Sequence, residues 1–146
     1  MASKRETALC ALDTVLNNIT GRKVGKRNQD FPDTVPAGGL FILRDGDAGE
    51  PEITLGVKQY TFTHYAEVDA LVQRGKTEDR DTLMDELLQD LDSAISADPT
   101  LGGAVEYARA EAPADDDELV DLEGGANLKG VVVPVMLIYT TTSPLS

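Results

Sequence analysis

The sequence is poor in the residues that cross-link small secreted domains and that stack on nucleic acid bases. It has one cysteine and no tryptophan among 146 residues, and aromatic residues make up 5%. A single cysteine excludes an internal disulfide and any zinc site built on several thiolates. So few aromatic rings argue against a surface that binds single strands by base stacking. The core must therefore be built mainly of Leu, Val, Ile and Ala.

Basic residues are also scarce, since 13 of them stand against 26 acidic residues and give a formal net charge of -13. This balance argues against the neutralisation of many phosphates, from which non-specific duplex binding gains its affinity. Solubility is the simplest explanation of the acidic excess. A second explanation is an acidic inner wall past which nucleic acid moves without binding.

The sequence contains no apolar run of membrane-spanning length. The longest run, from Val131 to Tyr139, is too short to cross a membrane as a helix and contains Pro134. The N-terminus becomes charged again too soon for a secretory signal. We therefore expect a soluble protein that is kept or assembled in a cytoplasm. Cys10, which lies among Ala and Leu residues, is expected to be a buried and inert thiol.

The strongest positive signal is a long amphipathic helix from Thr77 to Ala97. Thr77 is its predicted N-cap, and Asp98-Pro99 ends it. Apolar residues recur at three- and four-residue spacing and predict one face packed on a sheet. They are Leu83, Leu87, Leu88, Leu91, Ala94 and Ile95. A first helix is predicted after Ser3, which has capping-box spacing to Glu6.

Strands are predicted over 40–44, 60–72, 104–110 and 128–141, with a turn at 45–49. Ile53, Leu55 and Val57 alternate out of phase with the run over 60–72, so a break is expected near Lys58. The run over 60–72 is long enough to be the central strand. The strand over 128–141 is apolar on both faces, as in a strand covered on two sides, and Pro134 requires a bulge or an edge there.

These elements predict a single α+β domain over residues 1–146. Its sheet is expected to be mostly antiparallel or mixed, with the two main helices packed on one face. An acidic insertion at about 111–127 has almost no apolar pattern and is expected to be a flexible loop.

The chain carries no recognisable catalytic motif. It has no GxGxxG, P-loop, HExxH or nucleophile elbow, so no catalytic, cofactor-binding or metal-binding residue is predicted. The only histidine, His64, lies on an apolar strand face and is expected to be a hydrogen-bonded structural residue. Glu67 and Asp69 share the opposite face. Acid–base chemistry is conceivable for this pair, but an ordinary solvent-facing strand is favoured.

Two charge clusters stand out as candidate interaction sites. The basic cluster is Arg22, Lys23, Lys26 and Arg27, and the acidic cluster is Asp115, Asp116, Asp117 and Glu118. A solvated loop is the commoner role of such a basic cluster, and an acidic partner, either phosphate or a carboxylate-rich subunit face, is the alternative. The acidic residues have oxygens for a hard cation, but a mobile loop is favoured.

The last third of the chain carries a recognisable order of short motifs. Leu101-Gly102-Gly103 precedes a strand, an acidic spacer with Pro113 follows, and the final strand closes on Tyr139-Thr140-Thr141. Upstream lie an N-terminal helix, a loop with prolines, the strand YTFTHYAEVDAL and a helix rich in Leu and Asp. This order resembles small tail proteins of long-tailed bacteriophages, and it most resembles the tail terminator family, over nearly the whole chain as an order of elements.

The resemblance implies a structural protein rather than an enzyme, without cofactors. Such subunits form a homo-oligomeric ring, expected to be a hexamer, on the last ring of the tail tube at the neck end of the virion. The ring stops tube growth and joins the head, so the implied partners are other copies, the tail tube protein and the head–tail connector. DNA would pass through the lumen without specific binding, and assembly would take place in the host cytoplasm. Both charge clusters would then lie at contacts between subunits or neighbouring rings.

Three alternatives remain open at the level of sequence. The nearest is another head–tail neck or tail-completion protein of the same size. A small enzyme of coenzyme-linked acyl chemistry would need a nucleophilic carboxylate and a phosphate-binding loop, and the sequence shows neither. A host-directed binding module would be a monomer with an exposed apolar patch.

Overall fold

The computed structural model describes residues 2–32, 34–113 and 128–146. Within these residues two α-helices and six strands form an α+β domain, as predicted, with a short 3-10 helix at Leu101–Gly103. The elements are α1 (Lys4–Asn17), β1 (Lys23–Val24), β2 (Leu40–Asp47), β3 (Glu52–Thr54), β4 (Gln59–Gln73), α2 (Thr77–Ala97), β5 (Tyr107–Ala110) and β6 (Leu128–Thr141). No helix of the described residues is long and apolar enough to cross a membrane.

The sheet is mixed, and β4 is its central strand. The strand order is β1-β2-β4-β6-β5, with β3 paired to the start of β4. β1 runs parallel to β2, and all other described pairs are antiparallel. β4 pairs with β6 along its whole length except the first residue, from Tyr60↔Thr141 to Gln73↔Leu128. The predicted central strand is therefore confirmed.

Both helices pack on the same face of the sheet and bury the main core. Leu9, Leu12 and Leu16 of α1 are fully buried, and so is Leu87 of α2. The strands contribute alternate residues to this core, which is what a half-covered sheet requires. They include Phe41, Leu43, Ala66, Val68, Val133, Val135 and Leu137. The predicted stripe of α2 faces this core, with Leu88 and Ala94 half-buried at its edges.

The two helix starts differ in how well the sequence predicts them. The Ser3 hydroxyl accepts a hydrogen bond from the Glu6 N–H at 3.1 Å, so Ser3 is the N-cap of α1 as predicted. The predicted N-cap of α2 is wrong by one residue. Lys76 has the extended backbone of an N-cap, without a side-chain cap bond, and Thr77 is already helical.

Three predicted strand boundaries are corrected. β2 continues to Asp47 through a register shift after Arg44, so the turn predicted at 45–49 begins as strand. The alternating residues 53–57 do not form one strand, because β3 ends at Thr54 and a turn follows before β4. This is the break predicted near Lys58, placed slightly earlier. The strand predicted over 104–110 is only Tyr107–Ala110.

β6 has the predicted bounds, but Pro134 needs no bulge. Its pairing with β4 is continuous, and the Pro134 carbonyl accepts a hydrogen bond from the Glu111 N–H at 2.8 Å. In an antiparallel sheet, the N–H and C=O groups of one residue point to the same neighbouring strand. Since the Pro134 carbonyl points to the β5 side, its nitrogen does so too. Pro134 therefore removes no hydrogen bond between β6 and β4. The face of β6 opposite the helices, here called the far face, is only partly covered by the described residues. This corrects the expectation of a strand covered on both sides.

Candidate interaction surfaces

The predicted basic cluster separates into two arginines that hold the fold together and two exposed lysines. The Arg22 Nε lies 3.0 Å from a carboxylate oxygen of Asp90 on α2, and the Arg22 Nη1 donates to the Gly38 carbonyl. Arg27 donates from both Nη atoms to the Glu6 carboxylate at 2.9 Å. This bidentate contact lowers the pKa of Glu6. The two arginines therefore tie the segment around β1 to both helices.

Lys23 and Lys26 are exposed and take no part in these contacts. In the part of the chain that the structure describes, no carboxylate lies within ion-pair distance of either ammonium group. Of the four residues of the predicted basic cluster, only these two are exposed and without an ion-pair partner among the described residues. The acidic candidates Asp115, Asp116, Asp117 and Glu118 lie outside the described residues.

His64 is fully buried and serves a structural hydrogen-bond network. Its Nε2 contacts the Asp45 carbonyl oxygen, which accepts only, so Nε2 carries the proton. The Nδ1 atom, 2.8 Å from the Tyr139 hydroxyl, then accepts from that hydroxyl. Burial lowers the pKa of His64 and raises the pKa of Tyr139. A neutral imidazole joining β2 and β6 through β4 is what this geometry supports.

Asp69 is not solvent-facing, which corrects the sequence-based prediction. It is 2% exposed, whereas Glu67 on the same strand face is exposed. The reason is a second small core, in which Val35 from the loop before β2 covers this end of the far face. The Arg44 Nε lies 2.6 Å from the Asp69 Oδ2 and opposes the rise in the pKa of Asp69 that burial causes. The two carboxylates thus differ in environment, since Asp69 is buried against Arg44 and Glu67 is open to solvent.

Cys10 is exposed, so the prediction of a buried thiol is wrong. The apolar neighbours Leu9 and Leu12 face the core, whereas Cys10 lies on the opposite side of the helix, as helical periodicity requires. Burial from nearby atoms and a hydrogen bond to the Glu6 carboxylate, 3.4 Å from Sγ, raise the pKa of Cys10. The thiol is therefore protonated near neutral pH.

A surface that the sequence did not reveal is the turn between β3 and β4. Ile53, Leu55 and Val57 are 61%, 91% and 58% exposed. Their alternation predicted a strand with one covered face, but Gly56 adopts a positive φ of 88° and the chain turns there. Glycine between two aliphatic residues was the available signal for a turn.

A groove of about 520 Å³ lies between the C-terminal parts of α1 and α2. Its walls include Val15 and Ile19 on one side and Ala94 on the other, with carboxylates of Asp90 and Asp98 beside them. Neither helix has a basic residue in its last turn. Three of the eight residues that line it are apolar and five are polar, and the ends of both helices add negative potential.

The described residues contain no group of three or more His, Cys, Asp or Glu side chains arranged to hold a metal ion. No protein-family model and no curated protein matches this chain. The candidate interaction surfaces are the exposed lysines, the turn before β4 and the groove between the helices.

Proposed function

We propose that this chain is a structural protein of a bacteriophage tail. In this proposal it is a terminator that caps the tail tube as a ring, stops its growth and presents a surface for head joining. The α+β fold, with two helices on one sheet face, agrees with what the sequence resemblance implies. The proposal assigns the chain no enzymatic activity and no cofactor.

The observation that carries the proposal is the exposed apolar turn before β4. Three aliphatic side chains lie close together in sequence and are more than half exposed, and a cluster of exposed apolar side chains is typical of an interaction surface. A head-to-tail ring needs two different surfaces on each subunit that match each other. The turn and the groove between α1 and α2 are two such surfaces.

Charge supports the same proposal. With a net charge of -13, a ring of such subunits repels a DNA backbone, so DNA moves through its lumen without being held. Lys23 and Lys26, which are exposed in an otherwise acidic chain, suit a contact with an acidic face of the tube protein or the connector. The partners of the proposal are therefore other copies of the chain and the two neighbouring rings.

Tube growth in vitro tests the proposal. Purified tube protein of the same phage is allowed to polymerise with increasing amounts of this protein, and tube lengths are measured by electron microscopy. A terminator shortens the tubes as its molar ratio rises, and a label on it appears at one tube end only. Tubes of unchanged length without end labelling would contradict the proposal.

A further inference from the structure

The turn between β3 and β4 projects beyond the paired part of the sheet. Pairing of β3 with β4 runs from Glu52↔Thr61 to Thr54↔Gln59, so residues 55–58 lie past the last pair. The tip thus presents two exposed aliphatic side chains, Leu55 and Val57, followed by the exposed ammonium group of Lys58. We call residues 55–58 the hairpin tip.

The groove between the helices has the complementary character. Part of the groove is apolar and is formed by the half-buried side chains of Val15, Ile19 and Ala94. Its other lining residues are polar, among them Asp98 at the C-cap of α2. Within the described residues, no basic side chain is within ion-pair distance of Asp98. The ends of both helices add negative potential, which favours a cation at this site.

We infer that the hairpin tip of one copy binds in the groove between α1 and α2 of a second copy. Leu55 and Val57 enter between the helices, and the Lys58 ammonium group meets the Asp98 carboxylate. The groove volume of about 520 Å³ falls within the range of pockets that take a drug-sized ligand, so its size is compatible with two aliphatic side chains. The aliphatic side chains of the tip meet the apolar part of the groove, and the one cation of the tip meets a carboxylate that has no basic partner among the described residues.

This contact joins two different surfaces, so each copy offers one tip and one groove. Repetition of such a contact gives a closed ring if the rotation closes and a filament if it does not. The inference deepens the proposed function and rests on it for the closure of the ring. The contact between two copies is measurable without any phage component.

Sedimentation velocity over a concentration series up to near-millimolar protein tests the contact. The double variant Leu55→Ser/Val57→Ser is expected to raise the dissociation constant for self-association by at least about tenfold, because two aliphatic side chains no longer become buried. The matched control is Leu145→Ser, which changes another highly exposed leucine and is expected to associate like wild type. A wild-type chain that stays monomeric, or a double variant that associates like wild type, would overturn the inference.

Two arginine substitutions on α2, one inside the groove and one outside it, test the role of the groove. Ser93→Arg places a long cationic side chain in the groove and is expected to weaken association to a similar degree, whereas Ser96→Arg has the same charge change at an exposed position outside it. Thermal unfolding shows that each variant is folded. Equal association of the two variants would overturn the assignment of the groove.

Charge exchange tests the pairing of Lys58 with Asp98. Lys58→Glu and Asp98→Lys are each expected to weaken association a few-fold, and the double variant is expected to recover it in part. Absence of any recovery would overturn this pairing.

The contact and the proposed function fail in distinguishable ways. Loss of self-association in the tip variants, together with normal tails after deletion of the gene, would uphold the contact and overturn the terminator role. Self-association that survives the tip and groove variants, together with over-long tubes after deletion, would overturn the contact alone.

Discussion

The Nε atom of Arg44 lies 2.6 Å from the Oδ2 atom of Asp69, and the guanidinium carbon of Arg44 lies 5.1 Å from the centre of the Phe31 ring. Asp69 is almost completely buried, so this pair replaces the water that its carboxylate loses on folding. The contact joins β2 to β4 under the loop that precedes β2. It fixes one end of the sheet face that the helices do not cover.

Removal of the guanidinium group should therefore be costly. Arg44→Met keeps part of the aliphatic stem but leaves the Asp69 carboxylate buried without its partner, and the expected loss in the free energy of unfolding is about 3–5 kcal/mol. Urea denaturation measures this loss. Arg109→Met, which breaks the exposed pair with Glu111, is the control and should leave the urea midpoint unchanged. A loss below about 1 kcal/mol for Arg44→Met would show that the pair is not a stabilising contact.

The buried His64 predicts a pH dependence of stability. Burial lowers its pKa in the folded state, so the unfolded chain takes up a proton first as the pH falls below the ordinary value of 6.5. The contribution of the neutral ring to the free energy of unfolding is fully present above that pH. It is lost as the pH falls below that value, by up to about 1.4 kcal/mol per pH unit. His64→Gln, which retains a donor and an acceptor, should have a flatter profile. Parallel profiles for the two proteins between about pH 7.5 and 5.5 would contradict this prediction.

Gly46 is required at the register shift in β2. Its φ is +67°, and a Cβ atom built there would lie 2.0 Å from the Tyr65 carbonyl oxygen. Gly46→Ala should therefore cost roughly 3 kcal/mol or more, because backbone strain and a clash with a neighbouring strand add. Gly102→Ala is the matched control, since Gly102 has a φ of +71° but no atom within 4 Å of the added Cβ. It should cost only about 1–2 kcal/mol in the same denaturation experiment.

Within the basic cluster, mutation of an arginine should affect stability, whereas mutation of the two lysines should affect assembly. Arg27→Ala breaks the contacts with Glu6 and Asp45 and should lower the free energy of unfolding by about 1–2 kcal/mol. Lys23→Glu/Lys26→Glu should stay within about 0.5 kcal/mol of wild type in unfolding but should reduce capping of tubes in vitro. Charge reversal that leaves assembly untouched would exclude the two lysines as contact residues.

Elements in which apolar residues recur regularly over many positions were predictable from the sequence. The bounds of α2 and β6 agree with the prediction, because each has many core residues in one regular pattern, and Ser3 is recognisable as an N-cap from local chemistry. The burial of His64 was also predictable, since its neighbours on the strand face are apolar. Long patterns are informative because a single misplaced residue does not change the period.

Features that depend on other parts of the chain were not predictable. Asp69 has the local pattern of a solvent-facing residue, but it lies at the end of the sheet face where Arg44 pairs with it and a second small core that includes Val35 forms. Cys10 has apolar neighbours in the sequence, but its angular position around the axis of α1 places it on the exposed side of the helix. Leu55 and Val57 alternate like a half-buried strand, although nothing within the described residues covers them. Arg22 and Arg27 have the same local sequence character as the two lysines and differ only in the carboxylates that the fold brings near.

Deletion of the gene from its parent phage or prophage, followed by electron microscopy of the lysate, tests the central claim most directly. The measured quantity is the length distribution of the tail tubes, together with the fraction of tubes joined to heads. A terminator predicts over-long, headless tubes beside DNA-filled heads, with normal lengths restored by the wild-type gene. Tails of normal length left unattached would indicate a neck or completion protein instead, and intact particles would contradict the structural role.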